Sequence, residues 1–300
     1  MVAAPICSIL IEWENALATA DTRPGLVLRE LAAQASSTLP IGTWAELLVM
    51  YDPVHVDAVQ LQALVDSSLK PSGDRLQWKL IAATDLHYYS MKNLGVKNAS
   101  GEYIIFLDSD VIPDPGWLSR VVEAMKDPKY SVLASSVYVD TDGFMNKVMG
   151  LIWVFDPIPQ TDKIVRVDRF RSNSVAIRRA LLEKYPFPEI PGRSRGSEFY
   201  LAMQLHHAGV HLYQHFGARL SHPRPLGKDT WLKAVAWGRD RELNEMQHDV
   251  LYYAVTRFMR AVNRVIIFRH RVALPAWQIP TALLMTLSFY LLFAAGGVAA

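Results

Sequence analysis

Cysteine is nearly absent. The one thiol, Cys7, sits in an apolar run near the start and has no partner for an internal disulfide, which excludes a disulfide-stapled fold and agrees with a reducing compartment. Acidic residues are missing from the last part of the chain: none follows Asp249, whereas Arg257, Arg260, Arg264, Arg269 and Arg271 do. Charge of either sign is absent from Val272 to Ala300, and Ile279 to Ala300 is long enough to cross a bilayer as a helix. With the basic surplus beside that stretch, the positive-inside rule predicts a membrane protein whose large domain is cytoplasmic. A basic start is also missing, and Met1 to Leu10 is too short for a signal peptide, so none is expected. There is no internal repeat and no low-complexity tract. The net charge of +2 over 300 residues says little about partners until its distribution is read; the basic surplus lies beside the apolar stretch, and no nucleic-acid partner is expected.

What the chain does have is ordinary globular composition, 51% hydrophobic and 20% charged, with strand and helix periods in alternation. Ile6 to Ile11, Leu47 to Tyr51, Leu76 to Ala83 and Tyr103 to Leu107 read as strands. Gly25 to Ser36, Val54 to Ser67, His87 to Ala99 and Pro115 to Met125 read as helices, the last with Asp114 as its N-cap. The pattern predicts an α/β fold with a mostly parallel sheet, helices on both faces and ligands at the strands' carboxyl ends. Further on, Ser131 to Val139 and Arg171 to Ile177 read as strands, Ser197 to Ala208 as a helix and His211 to Phe216 as a last short strand. Phe155 to Val167 and Pro186 to Gly196 read as mobile connections. Three segments are expected: a catalytic domain over 1–248, a basic amphipathic juxtamembrane helix over 249–274 and a transmembrane segment over 275–300.

The chemistry gathers at the strand ends. The run Tyr103 to Leu107 stops at Asp108-Ser109-Asp110, two carboxylates one residue apart that can offer oxygen ligands to a hard divalent cation. The first strand ends in Glu12-Trp13-Glu14-Asn15 and the second in Tyr51-Asp52, which places more acceptors at the same edge, suited to nucleobase N–H or ribose hydroxyls. Asp52 before Pro53 equally suits a turn or a helix cap. Glu198, near the start of a helix, is either a first-turn acid favoured by the dipole or a general base. His222 acquires meaning only by closing on Asp110, since imidazole and carboxylate together suit manganese-like ions.

These residues carry a resemblance. Lys92-Asn93-Leu94-Gly95, Ala99-Ser100-Gly101-Glu102-Tyr103-Ile104, Asp108-Ser109-Asp110, Pro113 and Trp117-Leu118 together resemble the signature of the family 2 glycosyltransferases. Weaker similarity continues in Ser197 to Gly209, Ser221-His222-Pro223 and Trp237-Gly238-Arg239. The resemblance implies the GT-A fold and transfer of a sugar from a UDP- or GDP-type nucleotide-sugar with a divalent metal, Mn2+ or Mg2+. It implies Asp108 at the donor ribose or metal, Asp110 as metal ligand, His222 completing the metal site and Glu198 as general base. Ile11 and Asp52 would hold the base, with Glu12, Glu14 and Ser109 beside the donor, and Lys92 or His87 would approach the diphosphate or ribose.

The sequence departs from the family pattern in places. The usual Pro-x-Tyr-Asn after the first strand keeps only Asn15, the Asp-Asp pair is Tyr51-Asp52, and the acidic pair is Ser197-Glu198. No Gln-x-x-Arg-Trp follows, which implies one sugar per acceptor rather than a polymer, on a glycan or lipid-linked acceptor. Arg193 and Arg195 would suit an acceptor bearing phosphate. A nucleotidyltransferase would need a basic glycine-rich loop where Glu12-Trp13-Glu14 stands, and an Asp-x-Asp phosphatase would need a following Thr that is absent. An inactive nucleotide-sugar-binding membrane protein is the non-enzyme alternative.

Overall fold

A computed structural model describes residues 4–18, 22–153, 155, 161–190, 196–224, 229–242 and 250–298. In chain order the elements are β1 (Cys7–Glu12), α1 (Thr22–Thr38), β2 (Ala45–Tyr51), α2 (Ala58–Leu69), β3 (Leu76–Ala82), α3 (Tyr88–Asn98), β4 (Tyr103–Asp108), β5 (Ile112–Pro113), α4 (Trp117–Met125) and β6 (Val132–Val139). They continue with α5 (Gly143–Ile152), β7 (Ile164–Val167), β8 (Ser174–Arg178), α6 (Arg179–Lys184), α7 (Ser197–His207), β9 (Leu212–His222), α8 (Asp229–Glu242), α9 (Val250–Phe268) and α10 (Ile279–Val298). Two compact units result, Met1–Ser136 with Gln160–Ser221, and Val137–Pro159 with His222–Ala300.

The first unit holds the sheet, in the order β3-β2-β1-β4-β8-β6-β9-β5 with β7 paired to β9. Its amino-terminal half, β3 to β4, is parallel. The other half is antiparallel where β8 meets β4 and β6 and where β9 meets β5 and β7, so the sheet is mixed rather than mostly parallel. β1, β2 and β4 are buried along their whole length, as strands covered on both faces must be. Leu10, Leu48, Met50, Ile104 and Phe106 share a core with Met91 and Val96 of α3 and with Leu201 and Leu205 of α7. Gly101 lets the turn before β4 touch β1, since a Cβ there would lie 2.5 Å from the Cys7 carbonyl carbon and the Ser8 nitrogen.

Four sequence expectations need correcting. α4 starts at Trp117 behind Gly116, whose φ of 80° is left-handed, so Asp114 is not its N-cap and Pro115 is not its first residue. Asp114 instead continues the pairing with β9, its N–H donating to Arg219 O at 2.9 Å, and its carboxylate meets Arg219 at 3.3 Å. α2 starts at Ala58, not Val54, because Asp57 caps it. The connection 155–167 contains a strand, β7, and the last strand runs to His222, paired with β7 through Val167↔Leu212 to Ile164↔His215.

The second unit is helical. α10 packs on α8 and α9, with Tyr290 donating to Ile152 O at the end of α5 at 3.1 Å. Ala276–Val298 is long and apolar enough to cross a membrane, by length and composition. The expected segments 249–274 and 275–300 fall in this unit together with α5 and α8.

Candidate functional site

The parallel register sets Glu12 at the end of β1 beside Asp108 at the end of β4. Two carboxylates so close and so dry need cations and donors, and the sequence supplies them from two segments, α3 and the turn after β1. Lys92 of α3, with no exposed surface, brings its ammonium 3.1 Å from Asp108 Oδ1 and 3.5 Å from Glu12 Oε2, and donates to Ser172 O at 3.2 Å. Asn15, in the short turn after β1, donates to Glu12 Oε1 at 2.8 Å and to Asp108 Oδ2 at 3.1 Å. Tyr88, four residues before Lys92 and so on the same helical face, donates to Asp108 Oδ1 at 2.6 Å. Its ring also lies 4.3 Å from the Lys92 ammonium.

The electrostatics follow from burial. Burial first and Asp108 second raise the Glu12 carboxyl well above its usual range, against the opposing pull of Lys92. Burial alone would lower the Lys92 ammonium, yet Asp108 and then Glu12 outweigh it and the net shift is upward, so Lys92 is held charged. Tyr88 is raised by burial and by Asp108, and therefore acts as a neutral donor.

Glu198, in the first turn of α7, is joined to the same helix start. Tyr89 donates its hydroxyl to Glu198 Oε2, and its own ionisation is pushed up by burial and then by that carboxylate. Tyr88 and Tyr89 meet edge to face at 4.8 Å, and Tyr89 leans on Phe187 at 5.3 Å. Consecutive residues of α3 thus hold Asp108 and Glu198. Asp110 lies within a tight turn closed by Val111 N–H to Asp108 O at 3.2 Å. Its backbone oxygen accepts from Arg23 Nε at 2.5 Å while Arg23 Nη2 donates to Ser221 O at 2.9 Å, so one guanidinium ties the turn after β4 to β9.

The other sequence candidates are less directly placed. Ile11 is fully buried and Glu14 exposed. Asp52 accepts from Val54 N–H at 2.9 Å, the turn contact its place before Pro53 suggested. His87 is exposed at the start of α3. Ser109 is buried, with no hydrogen-bond partner for its hydroxyl among the described residues. Lys92, expected with His87 near the diphosphate or ribose, is buried against Glu12 and Asp108. His222 belongs to the second unit, where its ring packs at 5.2 Å from Trp153 and 4.8 Å from Phe155. Arg193 and Arg195 lie outside the described residues. Sequence reasoning missed Tyr88, Tyr89, Ser172 and Arg23. The one legible signal was the aromatic pair at a helix start directly before Lys92.

Among the described residues no cluster of three or more His, Cys, Asp and Glu side chains is assembled around a point that a metal could occupy. The donor set nonetheless fits a hard divalent ion, which takes one or two carboxylates from the protein and completes its shell with water and phosphate oxygens. Asp110 is the buried carboxylate that would serve it, and both oxygens of the neighbouring Asp108 accept hydrogen bonds.

Residues 77–186 match the family model described as glycosyl transferase family 2, a segment containing Lys92, Asp108 and Asp110. No curated protein matches by sequence. Among solved structures, a mannosyltransferase, PcManGT from Pyrobaculum calidifontis, in complex with GDP-Man and Mn2+, is similar with a TM-score of 0.58 at 13% identity, covering 99% of this chain and 88% of that one. S. aureus TarS 1-349 gives 0.54 at 13% identity over 98% and 90% of the two chains. GalNAc-T7 with UDP, GalNAc and Mn2+ gives 0.53 at 16% identity, and this match takes in 74% of the present chain but only 44% of the length of that structure. Over residues 77–186 the chain thus matches glycosyl transferase family 2, and as a whole it has the GT-A-like α/β fold of the solved structures named above.

Proposed function

We propose that the protein transfers one sugar at a time from a UDP- or GDP-type nucleotide-sugar to the hydroxyl of a glycan or lipid-linked acceptor, with inversion at the anomeric carbon. The observation that carries this reading is the start of α3, where Tyr88 holds the strand-end acid Asp108 and Tyr89 holds Glu198. Glu198 takes the acceptor proton as the hydroxyl oxygen attacks the anomeric carbon, and the bond to the nucleoside diphosphate breaks on the opposite face. Asp110, with Asp108 beside it, would hold a divalent ion, Mn2+ or Mg2+, whose bound charge stabilises the departing diphosphate. Mn2+ in the two structures named above supports that assignment. Lys92, Asn15 and Tyr88 fix Asp108 and keep its charge matched before the donor arrives.

Ile11, Glu14, Asp52, His87 and Ser109 remain donor-side candidates, with His222 a candidate third metal ligand. Glu12 is assigned a supporting place, since its carboxyl is fully buried. The arginines after Asp249 and the apolar helix support membrane association on the cytoplasmic side. The test is Glu198→Gln with Tyr89→Phe beside it, assayed for transfer and for nucleoside-diphosphate binding. Glu198→Gln is expected to lower turnover by about 10²–10⁴-fold with donor binding retained. Turnover like that of the unaltered enzyme removes Glu198 as base.

A further inference from the structure

We infer that the second unit docks on one leaflet of an anionic bilayer through α9 and α10, with α10 lying along the membrane rather than crossing it. This rests on the membrane reading above and is independent of the transfer chemistry. α10 has the length and composition of a crossing helix, but its packing within the unit is that of a helix held along one side. Near its middle, Tyr290 is hydrogen-bonded to Ile152 O, where α5 ends. Next to it, Phe289 meets Trp237 edge-on at 6.3 Å, Trp237 stacks on Trp153 at 5.5 Å, and Trp153 touches the His222 ring at the end of β9. Farther along, glycines bring α10 and α8 into backbone contact: a Cβ on Gly238 would overlap the Phe293 carbonyl oxygen, and one on Gly296 the Val235 carbonyl oxygen.

A crossing would carry those partners with it. Gly296 stands roughly 26 Å along the helix from Ile279 at about 1.5 Å per residue, close to the full thickness of a hydrocarbon core of about 30 Å. The end of α5 and His222 would then sit at mid-bilayer, and α8, with Lys233 and the exposed Arg239 flanking the glycine contact, in the far leaflet. Irregular backbone and charged side chains are strongly disfavoured there.

A surface position resolves the conflict. Leu284, Leu287, Leu291 and Val298 form one exposed stripe on α10, and Trp277, 78% exposed, stands just before the helix, where an indole suits the headgroup boundary. On α9, Val255, Met259 and Ile266 are each at least half exposed. Apolar ridges of this extent need a cover, and the charge pattern selects lipid. No acid occurs between Val250 and Val298, Arg260 and His270 are exposed, and Arg257, Arg269 and Arg271 are partly so. Anionic headgroups complement that set, whereas a second copy of the same surface would meet like charge.

The full chain is tested by flotation with vesicles of phosphatidylcholine alone or mixed equally with phosphatidylglycerol. Binding to the anionic vesicles is expected to be about tenfold stronger or more, at roughly 1 kcal/mol for each engaged basic residue near the surface. Leu287→Asp with Leu291→Asp should abolish flotation. Arg260→Glu should weaken it on anionic vesicles only, which keeps the test valid if the aspartate pair fails to fold. For sidedness, Arg239→Cys and Ile41→Cys are made separately in a Cys7→Ser background and exposed to an impermeant maleimide in inside-out membrane vesicles from expressing cells. Equal labelling supports the one-sided position. Labelling of Arg239→Cys only after permeabilisation overturns it, as does a concentration-dependent dimer, abolished by Leu287→Asp, in a chain that floats with neither vesicle. Transfer to a soluble acceptor by a chain that fails to float would sink the docking surface and leave the proposed activity standing.

Discussion

Replacing Lys92 by Met removes the only ammonium seen between Glu12 and Asp108 among the described residues and keeps the volume of the side chain. Breaking a buried ion pair from one side leaves uncompensated charge and costs about 3–5 kcal/mol, and here one lysine serves two acids. Asn15 and Tyr88 still donate to the pair, which places the expected loss toward the lower end. Amide exchange in β1 and β4 reads this directly, as acceleration of roughly a hundred- to several-thousand-fold at about 1.4 kcal/mol per tenfold. The sign of the pH dependence is fixed by the shifts. Glu12 has a folded pKa above its unfolded value, so the folded state binds the extra proton and loses stability as pH rises from the usual carboxylate range. Lys92 opposes that shift, so the variant's loss should be smaller when measured at about pH 5 than at about pH 8, because acid favours the neutral form of the Glu12 carboxyl. In the unaltered protein the raised Lys92 contributes stability that is present below the ordinary lysine range and lost as pH rises through its folded value. Adding Glu12→Gln to Lys92→Met should restore much of the loss, because one acid then remains for two neutral donors. A loss below about 1 kcal/mol, the size of an exposed pair, with no change between the two pH values would refute the reasoning.

Gly101→Ala should destabilise the first unit by about 1–3 kcal/mol or more, since its Cβ meets rigid backbone of β1 rather than a movable side chain; thermal melting of the purified protein measures it. Chelation should stop transfer and Mn2+ restore it, with Asp110→Asn requiring more metal for half-maximal nucleoside-diphosphate binding in calorimetry. Metal-independent binding equal in both proteins would remove Asp110 from the donor site. Tyr89→Phe should lower turnover less than Glu198→Gln does, because it frees the carboxylate without neutralising it.

The parts of the fold legible in the sequence were those fixed by local pattern. The apolar runs of β1, β2 and β4 and the helices between them follow directly from side-chain period, and the acids that end β4 do lie at the sheet edge. β7 was not legible, because three of its four residues are only partly buried, Arg166 is exposed, and they exist as a strand through pairing with β9, nearly fifty positions along. The start of α4 was misread for a related reason: Asp114 and Pro115 make a good helix start in isolation, but pairing of Asp114 with Arg219 holds that segment extended. For Lys92 the sequence offered only what the resemblance implies, an approach by it or His87 to the diphosphate or ribose. The burial of Lys92 is dictated by Glu12 and Asp108, both outside any window in which a helix period can be seen. Tyr88 and Tyr89 looked like ordinary aromatics, and only the packing of α3 against the strand ends gives their hydroxyls carboxylates to meet.

The central place of β1 in the parallel half has a consequence for biosynthesis. β1 leaves the ribosome first among the strands, yet it is hydrogen-bonded to β2 on one side and to β4 on the other. Until Tyr103–Asp108 has been made, one edge of a strand that ends wholly buried has no neighbour, and Glu12 lacks the acid that stands beside it in the finished site. Ser172 and Glu198 come later still. The nascent chain must therefore keep an unpaired strand edge and an unassembled buried-charge network apart until β4, and then Ser172 and Glu198, have been made.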